Sequence, residues 1–328
     1  MTTRVLVVGA GAVGQVYGRH ARQGGADVTF FVREKYRDTV SRGFDMYALN
    51  GRAKTDVIRF EDFTVVSRID EVRARTFDQV YLTVSSSALR GPWLADLVGA
   101  IGDATILALQ PGQDDLDVIL AAGAVRERVV SGVITLISYA APLPGETRFP
   151  GPGMAYWFPP LAPSRISGET TRAVPVIELL ARGGLPTKRH RDVPKFAAFP
   201  TAMMMPFLVA LEAGGWSFRA FTGERAKLGA RGAREAFAVV GLTAGKAPFT
   251  ARMVARPRVL KLALWFGTKI VPLPLETYLR EHFTKVGDQT RMFMAGYIER
   301  GRDASIDVSA LEKLLAALPP GDPSTDAR

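Results

Sequence analysis

The decapeptide VLVVGAGAVG, residues 5–14, constrains this chain more than any other stretch. Its leading apolar run reads as a strand buried on both faces, and the glycines that follow demand a tight turn. Next comes AVGQVYGRHARQGG, an amphipathic helical pattern closed by paired glycines, and then DVTFFV (27–32), a second apolar run. Strand, helix and strand within about thirty residues form a βαβ unit, which implies a parallel sheet. In that setting Gly9 takes the turn out of the strand, Gly11 leaves the backbone bare, and Gly14 lets the helix lie close to the strand. The helix N-terminus then presents N–H groups and positive potential to a phosphate. Gly9, Ala10, Gly11, Ala12, Val13 and Gly14 are therefore expected to cradle the pyrophosphate of a dinucleotide; the competing reading is a glycine-rich structural bend.

The end of the second strand selects the dinucleotide. An NAD site places a carboxylate about twenty residues on, where it accepts from the ribose 2′-hydroxyl. Here FFVREKY puts Arg33 nineteen residues after Gly14, with Lys35 close by. A guanidinium binds a 2′-phosphate bidentately, so NADP(H) is the expected cofactor. Glu34 follows directly and is expected to point the other way.

Further apolar runs continue the sheet: QVYLTV (79–84), TILALQ (105–110) and RVVSGVITLIS (128–138). ALNGRAKT (48–55) carries an Asn-Gly turn signal and predicts a hairpin after the second helix. From about Pro194 the pattern turns to long helices: one ends at Gly-Gly after KFAAFPTAMMMPFLVALEA, another at Gly245, and another runs from LPLETYLREHFTKV to Gly301. DVSALEKLLAAL is a last helix with an Asp or Ser cap. The expected fold class is α/β plus all-α: a Rossmann-type domain over 1–190, a helical substrate or dimerisation domain over 191–318, and a disordered tail at 319–328.

Composition removes several function classes. No cysteine is present, which excludes disulfides, thiolate metal sites and a cysteine nucleophile. His20, His190 and His282 show no metal-ligand spacing, so no metal is expected. The net charge of +10 favours anionic partners, but no lysine–arginine block or nucleic-acid module accompanies it. A diffusely basic surface and no nucleic-acid partner are expected. Apolar runs break well short of the roughly 20 residues that span a bilayer, and no signal peptide fits, so the expected location is cytoplasmic. The basic amphipathic stretch 252–274 is expected to be a buried helix or a homodimer contact, ahead of a segment that rests on a membrane surface or covers an apolar substrate.

With VLVVGAGAVGQVYGRHARQGGADVTFFVR, LTVSSSAL, ILALQPGQDD, SGVITLISYAAPLPGETRFPGPG, LLARGGLPTKRHRDVPKFAAFPTAMMMP and YIERGRDASID together, the chain resembles the ketopantoate reductase (2-dehydropantoate 2-reductase) family. The resemblance implies a Rossmann domain, a helical C-terminal domain of the 6-phosphogluconate dehydrogenase type, and an active site between them. It also implies NADPH-dependent reduction of a 2-keto acid. The family's lysine after the third strand falls on Ser85, and its Asn-Gly after the fourth strand becomes Pro111–Gly112, following Gln110. If Pro206 matches the family's Asn-Pro proline, the catalytic lysine becomes Ala197 and the two asparagines become Thr201 and Met205. A shifted register brings Lys195 into the lysine position. The family's substrate serine becomes Phe293, and its glutamate becomes Ser305. The resemblance thus implies a divergent member, with Ser85 and Gln110 beside the cofactor and Thr201, Met205, Gln289, Phe293 and Ser305 around a more apolar substrate.

Reduction of a carbonyl needs a proton donor for the developing alkoxide. His282, Lys285 and Gln289 fall at i, i+3 and i+7 in REHFTKVGDQTR, one face of a helix, so His282 or Lys285 is a candidate donor, with Lys195 the third. Two other readings stay open: a cofactor-binding protein without turnover, acting as a sensor or scaffold, and a true 2-dehydropantoate 2-reductase using Lys195.

Overall fold

The computed structural model describes residues 2–51, 55–221 and 223–319, and the chain divides into two compact units, Met1–Pro194 and Lys195–Arg328. The predicted tail beyond residue 319 lies outside the described residues.

Twelve strands are described: β1 (Arg4–Val8), β2 (Asp27–Phe31), β3 (Phe44–Ala48), β4 (Ile58–Phe60), β5 (Thr64–Val66), β6 (Gln79–Leu82), β7 (Thr105–Ala108), β8 (Val129–Gly132), β9 (Ile137–Ala141), β10 (Gly153–Trp157), β11 (Ser164–Ser167) and β12 (Thr187–Arg189). The helices of this unit are α1 (Ala12–Gln23), α2 (Arg37–Ser41), α3 (Ile69–Arg73), α4 (Ser86–Leu89), α5 (Trp93–Ala100), α6 (Asp115–Ala121) and α7 (Thr170–Arg182). Eight strands form one sheet in the order β12-β11-β8-β7-β6-β1-β2-β5, parallel throughout except where β11 meets β8. This is a Rossmann-like sheet. Its centre is buried on both faces because β1 is apolar at every interior position: Val5 and Val7 join one core with α1 and α7, while Leu6 and Val8 join the other with α5 and α6.

A second sheet, β4-β3-β10-β9, lies against α1, where Phe30 meets Phe44, Phe60 and Phe63 edge to face and Phe44 stacks on Phe63. The predicted hairpin is β3–β4, antiparallel with Phe44 opposite Phe60. Asn50 does not sit in a two-residue turn; its amide exchanges hydrogen bonds with the backbone of Phe158. The run 128–138 is not one strand. β8 stays in the large sheet and β9 pairs in the small one, with residues 133–136 crossing between them.

His20 shows how tightly α1 is packed. It is 4% exposed, Nδ1 lies 2.6 Å from the Gly183 carbonyl, and the ring meets Tyr156 and Phe158 edge-on. Nε2 is buried with no partner. Burial lowers its pKa from 6.5 to about 4, so the neutral form is the folded form. The unfolded chain takes up this proton first as pH falls. The stabilisation is complete above pH 6.5 and is lost as pH drops toward 4, by about 3 kcal/mol from this group. Chemical denaturation of the wild type and His20→Gln at pH 7.5 and 4.5 should show the smaller pH dependence in the variant.

The second unit is helical: α8 (Val193–Glu212), which begins at the boundary, then α9 (Gly223–Ala244), α10 (Phe249–Val254), α11 (Pro257–Ile270), α12 (Leu275–Lys285), α13 (Gly287–Asp303) and α14 (Ser309–Ala316). Small residues on α9 allow close packing, and a Cβ on Gly232 would stand 2.7 Å from Leu314. Glu235 accepts from the Ala310 and Leu311 N–H groups and Asp307 from Ser309, which satisfies the start of α14.

Three expectations change here. The stretch predicted to end at Gly301 is two helices, α12 and α13, and α13 runs on to Asp303 with Gly301 buried against Val308. α8 continues through Pro200 and Pro206 for 20 residues, so it is long and apolar enough to cross a membrane, yet 61% of its apolar window is buried within this chain. α11 is not a buried core helix: none of its residues is fully buried, and Leu260 and Leu264 alone among its leucines pack onto the helical core.

Candidate functional site

The turn between β1 and α1 is built by contacts that leave its outer side open. Gly9 has φ +96°, a conformation that excludes a β-branched or bulky side chain, and its N–H donates 2.9 Å to the Phe31 carbonyl. The Thr83 hydroxyl at the end of β6 donates to the carbonyls of Val8 (2.8 Å) and Gly9 (3.0 Å), and Gln15 Nε2 donates to Ala10 (2.9 Å). Ala10 and Val13 pack beneath. A Cβ on Gly14 would run into the Gly9 carbonyl and stand 2.7 Å from Thr83 Oγ1, so helix and strand touch here without a side chain between them. Gly11 is the opposite case. It is the N-cap of α1, in extended conformation without a side-chain cap, and a Cβ there would meet nothing within 4 Å. The first turn, from Ala12 through Val13 and Gly14, holds no acidic residue. The arrangement offers helix amides and dipole to an anion, with room for it to approach.

The end of β2 supplies positive charge. Arg33 and Lys35 are exposed and share the ring of Tyr36, each 5.1 Å from its centroid, and an Arg33 nitrogen donates 3.2 Å to the Tyr36 hydroxyl. The nearby acids face other partners. Glu34 accepts from the Ser67 hydroxyl. Glu71 pairs with Arg37 at 2.8 Å, and that bond together with the Ser67 N–H brings its pKa to about 2.

Ser85 and Gln110 hold the local structure. Ser85 caps α4 by accepting from the Ala88 N–H at 3.2 Å. Gln110 donates to the carbonyls of Leu82 (2.9 Å) and Val84 (2.8 Å), so its amide clamps the end of β6. Beside it, buried Asp115 accepts from the Ser86 hydroxyl (2.6 Å), the Gly112 N–H (2.6 Å) and Arg90 (2.7 Å), fixing the Pro111–Gly112 loop. Sequence reasoning singled out neither Thr83 nor Asp115. Their partners lie 75 and 29 residues away, and no local pattern encodes such contacts.

The helical unit rearranges the proposed substrate set. Thr201, Met205 and Phe293 are buried, and Met205 and Phe293 belong to the unit's own hydrophobic core. Met205 and Phe293 pack inward because α8 and α13 present these positions to the other helices. His282, Lys285 and Gln289 do not share a helical face. α12 ends at Lys285, Val286 (φ −110°, ψ 26°) kinks the chain while its N–H still bonds the His282 carbonyl and its own carbonyl accepts from Thr290, and Gln289 lies on α13. His282 stacks on Tyr278 (5.3 Å) and meets Phe283 edge-on (4.9 Å). Burial, reinforced by the Lys285 charge, lowers its pKa to about 4, so it is neutral at neutral pH. Lys285 is exposed at the end of α12, and Lys195 is exposed in the first turn of α8. Ser305 is exposed in the turn after α13, at φ +56°.

Residues 5–162 match the family model described as Ketopantoate reductase PanE/ApbA. A search of curated proteins gives no match. Solved structures with the same fold include a PanE/ApbA family ketopantoate reductase from Ralstonia eutropha JMP134, 18% identical over 96% of each chain at a TM-score of 0.71. D-Mandelate dehydrogenase bound to NADH and anilino(oxo)acetate is 13% identical over 99% of each chain at 0.72. A dimeric ketopantoate reductase from Staphylococcus aureus is 11% identical, covering 95% of this chain and 96% of its own, at 0.67.

Proposed function

We propose that this chain, whose residues 5–162 match the ketopantoate reductase PanE/ApbA family model, is a cytoplasmic NADPH-dependent oxidoreductase that reduces a carbonyl of a 2-keto acid or a more apolar analogue. One observation carries the reading: Gly14 is pressed against Gly9 while Gly11 faces open space, the division of labour a pyrophosphate cradle needs. Gly9, Gly11 and the first-turn amides of α1 would hold the pyrophosphate, and Arg33 with Lys35 the 2′-phosphate. Bound there, the nicotinamide would supply a hydride. Thr83, Gln15 and Phe31 hold the turn in shape, and Asp115 and Gln110 fix the loop after β7. The helical unit would carry the substrate contacts and any homodimer contact. An apolar substrate accords with the aromatic 2-oxo compound bound by the D-mandelate dehydrogenase neighbour.

Arg33→Ala should weaken NADPH about 10- to 100-fold and leave NADH within about twofold, as loss of one charge-assisted phosphate contact predicts. Isothermal titration with both cofactors reads the difference. Equal losses for the two would remove the 2′-phosphate assignment.

Neutral His282 is poorly suited to give up a proton near pH 7, which leaves Lys285 as the favoured donor in the helical unit. Lys285→Ala should cut turnover of a 2-oxo acid by about 100-fold or more with NADPH affinity unchanged. Turnover of 2-dehydropantoate that is lost in Lys195→Ala instead would favour the register that uses Lys195. Ala197 at the family's lysine position supports a second reading, a cofactor-binding protein without turnover; NADPH binding with no oxidation by any 2-oxo acid tested would establish it.

A further inference from the structure

The chain's positive charge is concentrated. Between residues 223 and 270 stand ten basic residues, Arg225 through Lys269, and two acidic ones, Glu224 and Glu235, against a net charge of +10 for the whole chain. The diffuse surface expected from composition gives way to one cationic region on α9, α10 and α11.

The same region exposes its apolar side chains. Phe249 on α10 is 68% exposed, and on α11 Leu262, Trp265, Phe266 and Ile270 are between 48% (Phe266) and 63% (Ile270) exposed. α11 packs inward through Leu260 and Leu264. The helical period sets Leu262, Trp265, Phe266 and Ile270 on the opposite arc, interleaved with Arg258, Lys261 and Lys269. α10 and α11 hold no acidic residue. At the first residue of α11, Pro257 lines a cavity of about 230 Å³ together with Glu224, Lys227, Ala230, Arg231 and Arg234.

From this we infer that α10 and α11 form a docking surface for an anionic phospholipid membrane. The helix lies in the interface plane, with Trp265, Phe266, Leu262 and Ile270 at the acyl boundary and the lysine and arginine heads reaching the phosphates. Charge decides against a second copy of this chain as the occupant. A two-fold contact through this arc would bring two acid-free cationic helices together with nothing on either to pair them. A nucleic acid would meet the cations but leave Leu262 and Ile270 in water.

The test is cosedimentation of the full chain with vesicles of phosphatidylcholine and phosphatidylglycerol in equal parts, and with pure phosphatidylcholine, at low and high salt. Expected are binding to the anionic vesicles, weakening with salt, and little binding to neutral ones. Arg258→Glu/Lys261→Glu/Lys269→Glu should reduce binding on the order of 100-fold or more, given the contribution of each basic residue near a charged surface. Trp265→Ser/Phe266→Ser should reduce it by about tenfold or more through lost apolar burial. Either variant suffices if the other fails to fold, which circular dichroism reports. No binding to anionic vesicles overturns the inference, as does binding that neither variant changes. Self-association of the wild type that Trp265→Ser/Phe266→Ser abolishes would overturn it too, by giving the face to a second copy.

Discussion

Gly14→Ala should cost the N-terminal unit about 3 kcal/mol or more and abolish dinucleotide binding. The added Cβ meets the backbone oxygen of Gly9, and Thr83 Oγ1 at 2.7 Å. Overpacking against side chains is relieved by rotamer changes, at a cost of about 1–3 kcal/mol. Here the obstacle is main chain, held by the Thr83 hydroxyl and by the bond from Gly9 to Phe31, so relief requires α1 to move off β1. Gly11→Ala is the control on the same turn. Its backbone, φ −72° and ψ −173°, suits alanine, and its Cβ would meet nothing. Stability should fall by no more than about 1 kcal/mol, the difference between glycine and alanine at an N-cap. NADPH affinity should nonetheless fall roughly 100-fold, about 2.7 kcal/mol, because the methyl takes the space a pyrophosphate needs. Denaturant unfolding and cofactor titration of the two variants separate a structural bend from a binding turn. A Gly11→Ala chain that binds like wild type would make the turn merely structural.

The second large effect is expected at Asp115. Its carboxylate is buried and accepts from Ser86, Gly112 and Arg90 together. Asp115→Ala leaves the Ser86 hydroxyl and the Gly112 N–H without their acceptor, at about 1–3 kcal/mol for a buried donor, whereas Arg90 is exposed and keeps the Ser86 carbonyl. Asp115→Asn keeps the volume and one oxygen, so it should fall between. Urea titration monitored by circular dichroism measures both. A cost below about 1 kcal/mol for Asp115→Ala would mean that the network contributes little. The loss should also weaken NADPH binding, because the Gly112 N–H bond is what sets the loop after Gln110.

The first βαβ unit was legible because each of its parts announces itself locally. β1 is apolar at every interior position, and the glycines fall where strand becomes helix. Contacts across the chain were not legible. A run such as RVVSGVITLIS has uniform strand character, and nothing in it marks Gly132 as the point where the chain leaves one sheet for another. The i, i+3, i+7 spacing of His282, Lys285 and Gln289 assumed a helix that Val286 kinks. Periodicity finds the amphipathic arc of α11 but does not say which arc meets the core; the sparse inward set, Leu260 and Leu264, leaves the larger apolar arc outside. The glycine turn between β1 and α1, and Arg33 at the end of β2, could be placed from spacing. Thr83, Gln110 and Asp115 act through bonds to carbonyls, amides and side chains on other elements, which spacing cannot report.

The most direct measurement is a parallel titration of the unmodified chain with NADPH and NADH by isothermal calorimetry at moderate salt. The account predicts saturable binding of NADPH at a single site per chain, tighter than NADH by about tenfold or more from the charge-assisted contact at Arg33. Heats indistinguishable from dilution for both nucleotides would contradict it.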